Sequence, residues 1–205
     1  MTQVEFWYDF ASSYSYPAAI RVEELAAERG VALAWRPFLL GPLFAGQGWR
    51  DSPFNLFPAK GRYMWRDLER ICGALGLPLT RPLPFPQNSL LAARIALALD
   101  DALRPTFSRA IYRSEFGHGQ PIDAPAALIP LLAEIGVAPE PLLAHAVEDA
   151  NKMALKAQTA RAIALGLPGA PCLTTAGGEV FWGNDRLEQG LDWALAHDSA
   201  AERER

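Results

Sequence analysis

The sequence near the N-terminus predicts a strand that leads directly into a helix. An apolar, aromatic run begins at Val4 and ends abruptly at Asp9, and a stretch with helical spacing starts at the serines Ser12 and Ser13. The first N–H groups of a helix lack acceptors within it, and the helix dipole places partial positive charge at the same end. A serine at this junction is therefore suited to hold an anion, although serines in this position are more often simple helix caps.

A short second strand follows the first helix. Apolar residues recur at three- and four-residue intervals from Ser13 to Arg29, and Gly30 is a natural stop for a helix. The apolar run 31–36 ends at Pro37 and predicts a strand, which completes a β-α-β unit. The next segment, 40–58, is rich in glycine and proline and indicates a long irregular connection.

Helical spacing dominates the middle of the chain. The segments with this spacing predict helices over 60–75, 88–103, 105–116, 123–135, 139–149 and 153–165. The four prolines between Gly76 and Pro86 indicate a loop.

The C-terminal part predicts two more strands and a final helix. The runs 171–175 and 179–182 flank a glycine-rich turn and indicate a hairpin, and Asn184 or Asp185 caps the helix that follows. A β-α-β unit, a helical block and a β-β-α unit form the α/β layout of a thioredoxin-like fold with a large all-helical insertion. We expect a discontinuous thioredoxin-like domain at 1–40 and 160–198, a helical insertion domain at 41–159, and a frayed tail at 199–205.

Composition and charge restrict the function. The chain has 205 residues, a net charge of −4 and 50% apolar residues, which suits a compact protein and indicates no nucleic-acid partner. We find no secretory signal and no run of about 18 apolar residues, the length that a membrane helix needs. The two cysteines, Cys72 and Cys172, belong to neither a CxxC pair nor a zinc motif. We therefore expect reduced, buried thiols in a cytoplasmic protein with no metal and no membrane partner.

Several short motifs occur in an order and spacing that identify a family. They are YDFASSYSY at 8–16, WRPFLLG at 35–41, PAKGRYMWRDLER at 58–70, FPQNS at 85–89, GLPGAP at 166–171 and FWGNDRL at 181–187. They cover nearly the whole chain, and the last is the most specific. The sequence resembles the 2-hydroxychromene-2-carboxylate isomerases, and more broadly the group that joins them to kappa-class glutathione transferases and DsbA-type thioredoxin relatives.

The resemblance implies a glutathione site built from distant parts of the chain. Ser12 falls on the family's catalytic serine, which faces the sulfur of bound glutathione and replaces a nucleophilic cysteine of the thiol-disulfide relatives. Ala170 matches the residue whose backbone pairs with the cysteinyl part of glutathione, and Pro171 is a candidate cis-proline. Asn184 and Asp185 match the pair that holds the γ-glutamyl end.

Other positions of the implied site depart from the family or have two interpretations. Lys60 aligns with a lysine that reaches a carboxylate of glutathione or of the substrate. The family usually has proline where this chain has Ser13, which adds a second hydroxyl beside Ser12. Asp51 aligns with a glutathione-binding asparagine of the kappa enzymes. A carboxylate there repels an anionic carboxylate, so this contact is lost or Asn55 replaces it.

The resemblance implies a glutathione-dependent isomerase of aromatic unsaturated carboxylates. The family's reaction interconverts a 2-hydroxychromene-2-carboxylate and a trans-o-hydroxybenzylidenepyruvate, and reversible addition of the thiolate accounts for it. We expect an aromatic pocket, with the candidates Phe44, Trp49, Phe54, Phe57, Trp65 and Phe85. Further candidate substrate contacts are Asn55, Arg62 and Asn88, and Lys60 or Arg62 can meet the carboxylate. The family is commonly dimeric, so we expect a homodimer.

Three other functions remain open. A glutathione transferase or peroxidase uses the same thiolate but consumes glutathione. A thiol-disulfide oxidoreductase is disfavoured, because Ser12 and Ser15 stand where a CxxC pair would lie. A non-catalytic, DsbA-like binding protein on the same scaffold predicts ligand binding without turnover.

Overall fold

Four strands form one mixed sheet with the N-terminal strand inside it. A computed structural model describes residues 2–201, with side chains described as far as residue 197. The strands are β1 (Gln3–Tyr8), β2 (Ala32–Pro37), β3 (Cys172–Thr175) and β4 (Val180–Trp182), in the order β2-β1-β3-β4. β1 is parallel to β2 and antiparallel to β3, and β3 is antiparallel to β4. The predicted α/β thioredoxin-like layout is confirmed.

β1 is covered on both faces, which explains its continuous run of large apolar side chains. Phe6, Trp7 and Tyr8 are fully buried, as expected of a strand that packs on two sides. Phe6 and Tyr8 belong to one core, whereas Trp7 packs against Phe38 in a second, smaller core. The end of β1 therefore holds the following turn in a rigid setting.

Helices form the rest of the fold, including the predicted insertion between β2 and β3. They are α1 (Ser15–Glu28), α2 (Leu40–Gly46), α3 (Pro53–Leu56), α4 (Pro58–Leu75), α5 (Leu90–Ala98), α6 (Arg104–Tyr112), α7 (Pro125–Glu134), α8 (Pro139–Ala146), α9 (Asp149–Ala164) and α10 (Leu187–Ala201). A π-helical turn, Arg113–Gly117, extends α6, and a 3-10 turn, Asn184–Arg186, precedes α10. α10 continues to Ala201, so residues 199–201 are helical where we expected a frayed tail, and 202–205 lie outside the described residues.

The segment 40–58 is not the irregular connection that its glycines and prolines indicated. Proline is compatible with the first turn of a helix, and Pro53 occupies that position in α3, which Ser52 caps by accepting from the N–H of Phe54 at 3.3 Å. The cap of α2 is a tertiary contact, because the N–H of Leu40 donates to the carboxylate of Asp9 at 2.7 Å. A cap from the preceding strand is invisible to local sequence patterns.

α5 is shorter than the predicted helix over 88–103. Its last carbonyl groups are satisfied from outside the helix by the buried side chain of Arg104. The guanidinium donates to the carbonyls of Ala96 and Leu99, both at 2.7 Å. Since the terminal carbonyls of a helix need such partners, Arg104 stabilises the end of α5 and the start of α6 together.

The larger core includes the sheet and the helical insertion. The ring of Tyr8, the last residue of β1, packs edge-on against the ring of Phe10, two residues further on. Both rings also pack at a tilt against Tyr112 of α6. Their shared burial fixes the insertion against the β1–α1 turn. The domain bounds 1–40, 41–159 and 160–198 stay a prediction.

Candidate functional site

Ser12 lies in the turn between β1 and α1 and faces the segment before β3. The residue is buried, with 7% exposed. Its hydroxyl donates to the carbonyl oxygen of Ala170 at 2.9 Å and accepts from the backbone N–H of Ser15 at 3.3 Å. The pairing of β1 with β3 brings Ser12 and Ala170 together although 158 positions separate them in sequence. One hydroxyl thus connects the start of α1 with the approach to β3.

The neighbouring Ser13 faces the protein interior. It is 1% exposed, and its hydroxyl donates to the sulfur of Met64 at 2.9 Å. Within residues 2–201, the backbone N–H groups of Ser13 and Tyr14 have no acceptor, and they directly precede α1. The turn therefore offers one hydroxyl and two unpaired N–H groups at a helix N-terminus, an arrangement that suits an anion.

Ser12 opens onto a cavity of about 810 Å³, which we call the Ser12 cavity. One wall is a single face of α4, formed by Lys60, Tyr63, Asp67 and Ile71. The phenol of Tyr14 donates to the carboxylate of Asp67 at 3.0 Å. Burial and the Asp67 carboxylate raise the pKa of Tyr14, so its phenol stays un-ionised at the floor of the cavity.

Ala170 and Pro171 line the opposite wall of the Ser12 cavity. The peptide bond between them is cis, as expected of the candidate cis-proline Pro171. Among the described residues, the backbone N–H of Ala170 has no acceptor, and its carbonyl accepts only from Ser12. Ala170 lies beyond the paired part of β3, which begins at Cys172. Its backbone is therefore open to an extended peptide.

Asn184 and Asp185, in the 3-10 turn before α10, complete this wall. Asn184 is 7% exposed, and its side-chain oxygen accepts from the guanidinium of Arg21 on α1 at 3.1 Å. Arg21 also forms an ion pair with Glu188 of α10. The carboxylate of Asp185 is 71% exposed and pairs with Arg186 at 2.9 Å. Arg21 thus ties the start of α10 to α1 and leaves Asp185 facing the cavity.

Most of the predicted aromatic residues line the Ser12 cavity. Those that do are Phe44, Trp49, Phe54 and Phe85, whereas Phe57 and Trp65 do not. Phe57 instead packs on Trp49, with ring centres 6.4 Å apart, and lies 4.8 Å beneath the ammonium group of Lys60. The predicted cation and the aromatic wall are therefore brought together at one side of the cavity.

Two predicted substrate contacts, Asn55 and Arg62, line neither this cavity nor its neighbour. The amide nitrogen of Asn55 donates to the Asp51 carboxylate at 3.2 Å and to the carbonyl of Phe85 at 3.0 Å. Its amide is therefore engaged locally, outside both cavities. Arg62 is exposed on another face of α4. Helical spacing alone did not show which face of α4 meets the cavity.

Asp9 is a site residue to which we assigned no role from the sequence. It is 2% exposed, and its carboxylate accepts from the N–H of Ala11 at 3.0 Å, from the hydroxyl of Ser89 at 2.6 Å and from the N–H of Leu40. Its carbonyl accepts from the N–H of Ser12 at 2.9 Å. Asp9 therefore holds the turn that carries Ser12. The available signal was a charged residue at the end of an aromatic run, three positions before Ser12.

Asp9 also lines a second cavity of about 640 Å³, the Asp9 cavity, together with the predicted Asn88. The two cavities share Ala11, Leu40, Phe44, Trp49 and Ser52 as a common wall. Burial raises the pKa of Asp9, while its three hydrogen bonds act in the opposite direction. The carboxylate thus lies immediately behind the serine turn, between sheet and insertion.

The thiols are buried away from both cavities. Cys72 and Cys172 are free, and burial raises the pKa of Cys72 to about 11 and that of Cys172 to about 12. Both are therefore un-ionised at neutral pH and unsuited to redox chemistry. The described residues contain no cluster of His, Cys, Asp and Glu that could hold a metal ion. None of the helices between residues 2 and 201 has the length and apolar character needed to cross a membrane.

Comparison with known proteins supports the same scaffold. The family model of the DSBA-like thioredoxin domain matches residues 3–192. A 2-hydroxychromene-2-carboxylate isomerase of Sphingobium xenophagum is 28% identical over 187 residues, which cover 90% of this chain and 94% of that protein.

Solved structures agree with this assignment. A 2-hydroxychromene-2-carboxylate isomerase superposes with a TM-score of 0.85 at 23% identity, covering 98% of both chains. The cytosolic disulfide reductase DsbM from Pseudomonas aeruginosa with GSH has a TM-score of 0.66 at 17% identity, covering 98% of this chain and 99% of that one. The resemblance stated from the motifs is thereby confirmed, and the chain belongs to the DSBA-like thioredoxin domain family.

Proposed function

We propose that this protein is a glutathione-dependent isomerase of aromatic unsaturated carboxylates, of the type that interconverts 2-hydroxychromene-2-carboxylate and trans-o-hydroxybenzylidenepyruvate. The observation that carries the proposal is the hydroxyl of Ser12, which reaches the Ala170 carbonyl from the N-terminus of α1. The 28% identical relative that is named a 2-hydroxychromene-2-carboxylate isomerase supports the substrate class. The homodimer rests on the resemblance alone, and the cytoplasmic location rests on the two unpaired cysteines and on the sequence pattern near the N-terminus.

The polar and charged groups of the Ser12 cavity fit glutathione. The free N–H and the carbonyl of Ala170 suit the backbone of its cysteinyl residue, in the manner of strand pairing. The exposed carboxylate of Asp185 suits the γ-glutamyl ammonium group. Lys60, whose contact is with the ring of Phe57, suits a carboxylate. The acidic and basic groups of the cavity are therefore placed for the opposite charges of one tripeptide.

Ser12 acts as a hydrogen-bond donor to a thiolate and not as a nucleophile. A free cysteine thiol has a pKa of about 8.5, so the thiol of glutathione is mostly un-ionised at neutral pH. One hydroxyl and a helix N-terminus stabilise the thiolate by about 1–3 kcal/mol. With glutathione bound, Ser12 would donate to its sulfur, and the Ala170 carbonyl, which accepts from Ser12 in this structure, would be free to accept the cysteinyl N–H. One change of the Ser12 hydrogen bond would thus permit both the contact with the sulfur and the contact with the cysteinyl backbone.

Glutathione held by Ser12, Ala170 and Asp185 would supply a thiolate for reversible addition to a conjugated ketone, a reaction that makes the former double bond rotatable until the thiolate leaves. The chain provides the setting for this chemistry. Phe44 and Trp49 wall both cavities, so they can hold an aromatic substrate against the sulfur. Tyr14 donates its phenol proton to Asp67 and so orients that carboxylate within the same cavity.

The proposal is tested by Ser12→Ala, with Ser13→Ala as the matched control. The first variant loses the donor to the thiolate, and we expect kcat/KM with glutathione to fall about a hundredfold. The second variant loses only the bond to Met64 and keeps most of the activity. Ultraviolet absorbance of the thiolate measures the thiol pKa in each protein independently of turnover, and Ser12→Ala should raise it.

Activity that persists in Ser12→Ala, or that needs no glutathione, contradicts this mechanism. Product analysis separates the isomerase from a transferase or peroxidase, since only the latter activities consume glutathione as substrate disappears. Ligand binding with no turnover of any kind would instead indicate a binding protein.

A further inference from the structure

The Asp9 cavity has a buried acidic end. Asp9 and Ser89 are 2% and 6% exposed and lie at this end, whereas Arg50 and Asn88 are exposed at the mouth. A carboxylate has about four acceptor positions on its two oxygens. Donors from Ala11, Leu40 and Ser89 fill three of them. No cation pairs with Asp9 in the described part of the chain, so the remaining position suits a hydrogen-bond donor and rejects an anion.

The mouth of the same cavity carries an unpaired cation. Arg50 forms no hydrogen bond and no ion pair with the residues whose side chains the structure describes, 2 to 197. Asp51 also lines this cavity, but it forms no ion pair with Arg50 among the described residues, and its carboxylate accepts from the N–H of Ser52 at 2.6 Å and from the amide of Asn55. A planar guanidinium without a partner suits a carboxylate. Arg50 therefore offers a ligand carboxylate a cationic partner at the mouth.

The wall between the two ends is apolar and adjoins the Ser12 cavity. Leu40, Phe44 and Trp49 belong to it, and the last two rings pack with centres 5.5 Å apart. A volume of about 640 Å³ is ample for a one-ring ligand. Because the same side chains also wall the Ser12 cavity, a ligand here lies beside the position of the sulfur.

The geometry points to the Asp9 cavity as the site of the second substrate, with Asp9 accepting from a hydroxyl at one end of a flat ligand and Arg50 binding a carboxylate at the other. This assignment extends the proposed function, and its relevance to catalysis rests on that function. It assigns the carboxylate to Arg50, in place of the two cations expected from the sequence. Lys60 lines the other cavity, and Arg62 lines neither.

The assignment is tested by calorimetric titration without glutathione, using four probes. They are trans-2-hydroxycinnamate, trans-cinnamate, trans-2-methoxycinnamate and trans-2-hydroxycinnamamide. We expect the first to bind most tightly. Loss of the hydroxyl group, its methylation, or replacement of the carboxylate by the amide should each weaken binding about tenfold. Because the probes vary and the protein does not, the contact with Asp9 is tested without a variant that could unfold.

Variants assign the charged end. Arg50→Gln should bind trans-2-hydroxycinnamate and trans-2-hydroxycinnamamide with equal affinity. Arg62→Gln should keep the tenfold difference between these two probes. Arg66→Gln, on the exposed face of α4, is the neutral control. The assignment is overturned if all four probes bind equally or none binds. It is also overturned if Arg62→Gln, and not Arg50→Gln, abolishes the difference in affinity between the acid and the amide.

The titrations also separate this inference from the proposed function. Ser12→Ala should leave the ranking of the four probes unchanged, because Ser12 lines only the other cavity. If Ser12→Ala keeps full activity while the ranking holds, the thiolate mechanism fails and the substrate site stands. If the expected ranking is not observed while Ser12→Ala loses activity, the substrate site fails and the thiolate mechanism stands.

Discussion

Ser12 and Ser13 are neighbours with opposite surroundings, which decides what each hydroxyl can do. Ser12 reaches across the cavity wall to Ala170, and Ser13 reaches into the core to Met64. The side chains diverge because the chain turns sharply after β1, where the carboxylate and the carbonyl of Asp9 bind the N–H groups of Ala11 and Ser12. The second hydroxyl therefore does not compete for an anion in the Ser12 cavity.

Asp185 is the side chain whose removal should affect glutathione and little else. Asp185→Ala should weaken glutathione binding about tenfold in a calorimetric titration, because an ammonium group loses its charged acceptor. The melting temperature should stay the same, since the lost ion pair with Arg186 is exposed and contributes little. Asp123→Ala, an exposed loop aspartate, is the control. Unchanged affinity in Asp185→Ala would remove this residue from the site.

α3 and α4 approach each other more closely than side chains usually permit, and α3 supplies part of the cavity wall. A Cβ at Gly61 of α4 would lie 2.3 Å from the carbonyl oxygen of Phe54 in α3. Phe54 lines the Ser12 cavity and packs on Tyr14, with ring centres 6.2 Å apart. The absence of a side chain at Gly61 thus sets the position of an aromatic wall.

Two glycines of the same helix should respond in opposite directions to alanine. Gly61→Ala forces α3 to move and should lower the free energy of unfolding by about 1–3 kcal/mol, with a higher KM for glutathione. Gly73→Ala meets no atom within 4 Å and should raise it by about 0.5–1 kcal/mol through the better helix propensity of alanine. Chemical denaturation measures both, and a stabilised Gly61→Ala would refute the close approach.

The sheet and the insertion meet around buried acidic groups. Glu115, in the π-helical turn after α6, is fully buried, and neither of its carboxyl oxygens has a hydrogen-bond partner among the described residues. Burial, and secondarily the nearby Asp9 carboxylate, raise the pKa of Glu115 well above its usual value. The folded protein therefore retains a proton that the unfolded chain releases.

This retained proton makes stability depend on pH. The unfolded glutamate releases its proton above a pH of about 4.3. The contribution of Glu115 to stability is therefore complete below that pH and is lost as the pH rises towards the raised folded value. Glu115→Gln cannot titrate, so it should be increasingly more stable than the parent protein between pH 5 and pH 8 in thermal melts. Glu134→Gln, an exposed change, should show no such trend, and a constant difference for Glu115→Gln would contradict the buried-acid interpretation.

Local patterns were sufficient for the secondary structure at the two ends of the chain and insufficient for parts of the insertion. β1, α1, β2 and the β3–β4 hairpin follow their expected spans closely, because alternating or three- and four-residue spacing reports burial directly. α2 and the end of α5 were not predicted correctly, because distant side chains, Asp9 and Arg104, satisfy their terminal backbone groups.

The sequence by itself determined the order of strands and helices and, through its motifs, the serine, the proline and the acidic turn of the candidate site. Only the tertiary structure decided which of these groups meet. It turned Ser12 to the cavity and Ser13 to the core, placed Asn55 and Arg62 outside both cavities, and put Asp9 behind the serine turn. The physical reason is that spacing along a chain specifies a local conformation, whereas the direction of a side chain depends on the packing of segments far apart in sequence.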